Sequence, residues 1–93
     1  MVVGICTLYL VLPSGSSLKE KRQVVNSIRD RIKSRYNVSI AEVDNHNSIR
    51  QITIGIACVS NSLGHARKIM SNIIEFVGQN YIYETFDYEV EII

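Results

Sequence analysis

Ninety-three residues, 46% of them hydrophobic and 20% charged, make one globular domain spanning residues 1–93 and exclude a disordered chain. Two cysteines, Cys6 and Cys58, are too few for a disulfide-stapled secreted scaffold, so the reading is a cytoplasmic protein with free thiols. The net charge of +1 conceals an asymmetry: residues 1–36 hold seven of the ten Lys and Arg against two acids, and residues 37–93 hold three against seven. A basic and an acidic surface are expected, and only the first suits a polyanion.

In chain order, Val2 to Leu12 is a β run with apolar residues at both parities, Val3, Ile5, Tyr9 and Val11 on one face and Val2, Cys6, Leu8 and Leu10 on the other. That pattern places it centrally in a sheet. The run lacks a basic leader and a small-residue cleavage site, so it reads as a strand and not as a signal segment. Its length also falls short of the ~20 residues that span a bilayer. Pro13-Ser14-Gly15-Ser16 ends it, and Ser17 with Glu20 forms a capping box for a helix running to about Tyr36, with Val24, Val25, Ile28 and Ile32 inward and Asn37 as its C-cap.

Val38 to Ala41 makes a short second strand, and Asp44 to Ser48 a polar turn. Arg50 to Ser60 alternates as a third strand, with Ile52, Ile54 and Ile56 on one side and Gln51, Thr53, Gly55 and Ala57 on the other. Ser60-Asn61-Ser62 opens a second helix with Leu63, Ala66, Ile69, Met70, Ile73 and Val77 on its apolar face, and Gly78 and Asn80 are its stop signals. Tyr81 to Ile93 is the last strand, with Phe86, Tyr88, Val90 and Ile92 inward and Thr85, Asp87, Glu89 and Glu91 outward.

Two right-handed β–α–β crossovers give an α+β fold: a ferredoxin-like βαββαβ sandwich, its four-stranded antiparallel sheet carrying both helices on one face, with strands one and three central. The other face would expose apolar side chains of strand one together with Ala57 and Val59. A wet apolar patch of that kind predicts a homodimer through the open sheet face or the edge strands.

Lys19, Arg22, Asn26, Arg29 and Lys33 fall on one strip of the first helix, about 21 Å long at 1.5 Å per residue. Functionally this is a track for RNA phosphates, to which Lys21 adds charge; the bland alternative is a solvated helix face. Three cations in the first turns, Lys19, Lys21 and Arg22, oppose the helix dipole, which favours a purpose other than helix stability. The preceding loop, Ser14, Gly15, Ser16 and Ser17, is a candidate anion-binding turn, although it is no Walker loop.

Glu42, Asp44 and His46 alternate as metal ligands could, but a solvated hairpin is the preferred reading, and no metal or other cofactor is expected. No nucleophile has a base with a motif around it, so the chain reads as non-enzymatic. Stacking of RNA on the sheet is disfavoured, since strand three has no aromatic residue and strand one only Tyr9.

The segments Ser17-Leu18-Lys19-Glu20-Lys21-Arg22, Asn37 to Asp44 and Ile54 to Ser60 together resemble the YlxP-like family of bacteria, a domain of unknown function. The resemblance covers about residues 3 to 80. It implies a ferredoxin-like fold, a cytoplasmic protein, and a genomic neighbourhood of translation-initiation and ribosome-maturation factors. It implies no enzyme activity and no cofactor. The chain departs from the family pattern after Asp44, where Asn47-Ser48-Ile49 stands in place of an acidic residue and a Trp.

The leading expectation is therefore an accessory protein that contacts ribosomal or other structured RNA through Lys19, Lys21, Arg22, Arg29 and Lys33. The alternative is a dimeric small-molecule-binding or regulatory module. A phosphate-ester or acyl-phosphate hydrolase at residues 13–22 is a third class, which the fold alone does not license.

Overall fold

Alternating burial organises the chain into two layers. In the computed structural model, which describes residues Met1–Ile93, the order is β1 (Val2–Val11), α1 (Leu18–Arg35), β2 (Ser39–Asp44), β3 (Gln51–Ser60), α2 (Leu63–Asn80) and β4 (Thr85–Ile92). The sheet is antiparallel with spatial order β2-β3-β1-β4, so β1 and β3 are central and each helix crosses over one strand. Leu8 lies opposite Ile54 on one side and Tyr88 on the other, and Cys6 opposite Ile56 and Val90; Leu8, Cys6, Ile54 and Ile56 are buried under the helices, whereas Tyr88 and Val90 of the edge strand, expected inward, stay exposed. The ferredoxin-like arrangement expected from the sequence is the fold observed.

The core joins Cys6, Leu8, Leu10 and Leu12 of the first strand region and Ile52, Ile54, Ile56 and Cys58 of β3 to Val25, Ile28 and Ile32 of α1 and Ala66, Met70, Ile73 and Val77 of α2. Burying each such side chain is worth about 1.5–3 kcal/mol, and this sum drives the docking of both helices on one sheet face. Each helix starts at a serine. The Ser17 hydroxyl accepts from the Glu20 amide while the Glu20 carboxylate accepts from the Ser17 amide, and Ser62 accepts from the His65 amide.

Four boundaries differ from the sequence reading, the first at the end of α1, whose C-cap is Tyr36, its amide bonded to the Ile32 carbonyl, and not Asn37. Strand β2 continues to Asp44, with a bulge between Glu42 and Asp44. Helix α2 runs through Gly78 to Asn80, because Gly78 is the floor on which Phe86 packs and not a terminator. Strand β4 begins at Thr85, because Tyr81 and Tyr83 fold back on the helices: the Tyr83 hydroxyl donates to the Gly78 carbonyl, and only at Glu84 does the backbone bond to Val11.

The open face carries Val3, Ile5, Tyr9 and Val11 of β1 beside Thr53, Gly55, Ala57 and Val59 of β3, as their register requires. Val59 is 69% exposed and Tyr9 37%. The bulge lays Val43 over Gly55, where an added Cβ would lie 2.9 Å from Val43 Cγ1, so glycine is what admits that close approach.

Candidate functional site

The start of α1 uses its cations inward. Lys21 stands four residues before Val25, seven before Ile28 and eleven before Ile32, so it occupies the buried stripe of the helix, and it is 0% exposed. Its ammonium donates to the Asn45 carbonyl at 2.6 Å and to the Ser48 carbonyl, and it lies 3.4 Å from Glu42 Oε2, an ion pair in which that oxygen accepts no hydrogen bond. Glu42 is itself 92% withdrawn from solvent, with an 8% exposed side chain. The expectation that Lys21 contacts nucleic acid is therefore corrected: it is sealed beneath the β2–β3 loop, where no phosphate reaches it.

Arg22 is shared between inside and outside. It bonds Glu42 Oε1 at 3.1 Å and the His46 carbonyl at 2.6 Å, while its side chain stays 43% exposed. Lys21, Arg22 and Glu42 form a triad of net charge +1 that ties the helix start to the loop 24–27 residues later. The loop is shaped to accept this. Asn45 sits at φ 60°, a left-handed position that asparagine tolerates, with its amide bonded to the Asp44 carboxylate and its side chain donating to Thr53.

The bulge also corrects the expected alternation of Glu42, Asp44 and His46. Glu42 turns under the helix, Asp44 caps the turn, and the His46 ring meets the Glu42 carbonyl at 3.1 Å. No three His, Cys, Asp or Glu side chains are grouped to hold one ion.

The other strip residues remain outside. Lys19, Asn26 and Lys33 are exposed, and Arg29 is 43% exposed beside Asp30 at 3.3 Å. Only Lys21, Arg22, Arg29 and Arg50 have a carboxylate within 4 Å; Lys19, Arg31, Lys33, Arg35, Arg67 and Lys68 have none.

Sequence reasoning missed the arrangement at the far end of α1. Arg31 and Arg35 both lie over the Phe76 ring of α2, with guanidinium carbons 4.8 and 4.4 Å from its centroid, and Arg31 also lies 5.6 Å from the Tyr81 ring. A cleft of about 340 Å³ beside them is lined by Arg35, Tyr36 and Asn37 of the α1 end and by His65, Lys68 and Asn72 of α2. The i, i+4 spacing of the two arginines was a signal, but the ring that gathers them, Phe76, comes from the second helix.

The candidate anion turn is built differently from its expectation. The Ser17 hydroxyl and amide are engaged with Glu20, and the Ser16 hydroxyl donates to the Pro13 carbonyl at 2.6 Å. Gly15, at φ +90°, and Ser14 remain at the rim of a cleft of about 550 Å³ whose other lining includes Gln23, Ser27, Asn80 and Tyr81. Glu20 lines this cleft and no Lys or Arg does, so its field repels anions. The anion-binding expectation for Ser14, Gly15, Ser16 and Ser17 thus lacks the cations that the sequence placed nearby.

Neither cysteine is poised as a nucleophile. Both are buried free thiols, and burial pushes Cys6 up to about 11. On the open face, partial loss of solvent followed by the charge of Glu89 raises Tyr9 above its ordinary value, and its hydroxyl donates to Glu89 at 3.3 Å.

The two-layer βαββαβ architecture defines a ferredoxin-like α+β protein. It superimposes on a de novo designed protein with a ferredoxin fold, LFR1 1, solved by NMR, with a TM-score of 0.58 over 99% of this chain and 84% of that one at 11% identity. A family model described as "Protein of unknown function (DUF503)" matches residues 3–90, and the chain belongs to that family. It is 30% identical over 76 residues to the uncharacterized protein YlxP of Bacillus subtilis (strain 168), covering 82% of this chain and 83% of that one. No helix is long and apolar enough to cross a membrane.

Proposed function

We propose that this protein is a non-enzymatic accessory factor that docks on the phosphate backbone of ribosomal or other structured RNA through the outer flank of α1. The observation that carries this reading is the charge left over once internal pairs are set aside. Lys21 and Arg22 share Glu42 and keep a net charge of +1, Arg29 is offset by Asp30, and Lys19 and Lys33 stand exposed on the flank with no carboxylate within 4 Å. Such contacts position a protein on RNA and carry no base code, so sequence specificity is weak and binding falls steeply with salt. Co-sedimentation with ribosomal subunits at two salt concentrations tests this. The Lys19→Glu, Lys33→Glu double variant is expected to lose binding, and unchanged affinity in that variant, or between the two salts, overturns the reading.

The same reading includes a homodimer through the open sheet face. The four strands, of 10, 6, 10 and 8 residues at about 3.3 Å per residue and about 4.8 Å apart, present roughly 540 Å², about two-thirds of the ~800 Å² per partner of a standard interface. Asp87, Glu89 and Glu91 share this face along β4, since they pair with Tyr9, Thr7 and Ile5. A two-fold axis must therefore set β4 of one copy against β2 of the other, away from its own acids. Val59→Glu is expected to give a monomer by light scattering. A wild type already monomeric at high concentration overturns it.

A second reading, a small-molecule or regulatory module, is favoured by the 550 Å³ cleft, which is of ligand size and mixes apolar side chains with hydroxyl and amide groups and the Glu20 carboxylate. A metabolite that raises the melting temperature of the wild type and fails with Ser27→Leu would support it over RNA binding.

A further inference from the structure

The middle of the α1 flank carries a cleft that a track for phosphates does not explain. About 190 Å³ in volume, it lies between α1 and β2, with Arg22, Asn26 and Arg29 of the strip on one side and Glu42 on the other. Its lining also includes the buried Val25 and Ile54. Arg22 and Arg29 are two turns apart, about 10.5 Å along the helix, so the cleft falls between the phosphate contacts assigned to Lys19 and Lys33.

The polar groups there decide what can enter. Two N–H groups of Arg22 are engaged, by Glu42 Oε1 at 3.1 Å and by the His46 carbonyl at 2.6 Å, yet the side chain is 43% exposed. A guanidinium fixed through its edge offers solvent its planar face, and a face held in place stacks on a flat π-system. Asn26, between the two arginines, is exposed, with an amide that both donates and accepts. Glu42 brings a carboxylate to the same cleft, which disfavours a phosphate inside it and favours a group that presents N–H donors. The volume is below the roughly 300–1,000 Å³ of ordinary small-molecule sites and is on the scale of one planar heterocycle.

We propose that this cleft takes one unstacked base of an RNA loop or bulge, stacked on the face of Arg22 with its amino-bearing edge toward Asn26 and Glu42. This rests on the RNA reading and deepens it: phosphates on Lys19 and Lys33 carry no base code, and the cleft between them adds a preference at one position. Adenine, cytosine and guanine carry an exocyclic amino group and uracil does not, so uracil is disfavoured.

The test uses the full chain and three short probes of equal length and phosphate count: oligoadenylate, oligouridylate and a base-free ribose-phosphate oligomer. Affinity is measured by fluorescence anisotropy against salt for wild type, Arg22→Lys and Asn26→Leu. Wild type is expected to hold oligoadenylate about tenfold tighter than the base-free oligomer, with oligouridylate between them. Arg22→Lys keeps the charge and removes the plane, so oligoadenylate is expected to fall to within about twofold of the base-free oligomer at an unchanged salt slope. Asn26→Leu, at an exposed helix position, is expected to abolish the preference for adenine over uracil with the fold intact by circular dichroism.

A base-free oligomer that binds wild type as tightly as oligoadenylate overturns the base cleft and leaves the phosphate contacts of α1 standing. Base preference that survives in both variants also overturns it, since the base then lies elsewhere. Base preference lost in Arg22→Lys, in a protein whose oligoadenylate affinity is unmoved by Lys19→Glu with Lys33→Glu, sustains the cleft and overturns the flank reading. No binding of any probe overturns both.

Discussion

The two ends of α1 put the same kinds of side chain to opposite uses. At the first end, Lys21 points into the core stripe and Arg22 bends toward the β2–β3 loop, and both find Glu42. At the last end, Arg31 and Arg35 find an aromatic ring and no acid. A cation that gains a buried carboxylate and two carbonyls has become part of the fold, and its charge is spent within it. A cation laid on a ring keeps its charge available to solvent, because the ring holds its position and leaves the N–H edge open. Charge counted along a sequence does not distinguish these two states.

The contrast can be broken most forcefully at Lys21. Lys21→Met leaves Glu42 buried without its cation and two carbonyls without a donor, and a loss of about 3–5 kcal/mol in urea unfolding is expected. Adding Glu42→Met should recover a large share, because an apolar pair of similar volume replaces the ionic one. A single-variant loss below about 1 kcal/mol would mean that Lys21 is not part of the fold's own framework. On the open face, Gly55→Ala drives its new Cβ against Val43, with an expected cost of about 1–3 kcal/mol that Val43→Ala relieves.

Alkaline titration gives the next effect. The Cys6 thiol is raised from 9.0 to about 11, so the folded state favours the protonated form. That contribution is complete below pH 9 and is lost as pH climbs through 11, amounting to about 3 kcal/mol. The raised Tyr9 acts in the same direction. Cys6→Ala should flatten the alkaline limb of a stability–pH curve measured by urea unfolding. The smallest expected change is at the other end of α1, where Arg35→Gln should cost no more than about 1 kcal/mol of stability. Opposite rankings for Lys21 and Arg35 would invert the comparison.

Much of the architecture was legible because it rests on local patterns. The Ser17–Glu20 box, the isoleucine alternation of β3 and the apolar stripe of α2 each point to one element, and their order admits few topologies. The site was less legible, for two physical reasons. Lys21 was read by its charge although its spacing to Val25, Ile28 and Ile32 already assigned it to the core; Glu42, two residues after the inward-facing Ile40, carried the matching signal. The arginine pair could not be read at all, since Phe76 and Lys68 meet α1 only after the second crossover is made.

The contacts of Lys21 and Arg22 have a corollary for motion. Lys21 and Arg22 staple the tip of the β2–β3 hairpin to the first turns of a helix that begins far earlier in the chain. A hairpin tip would ordinarily fray by itself, but this one opens only if an ammonium is pulled from its seat, so amides near Ser48 should exchange with deuterium in step with those of the α1 start. Loop and helix are then expected to melt as one foldon, and exchange at Ser48 that outpaces the α1 start would separate them.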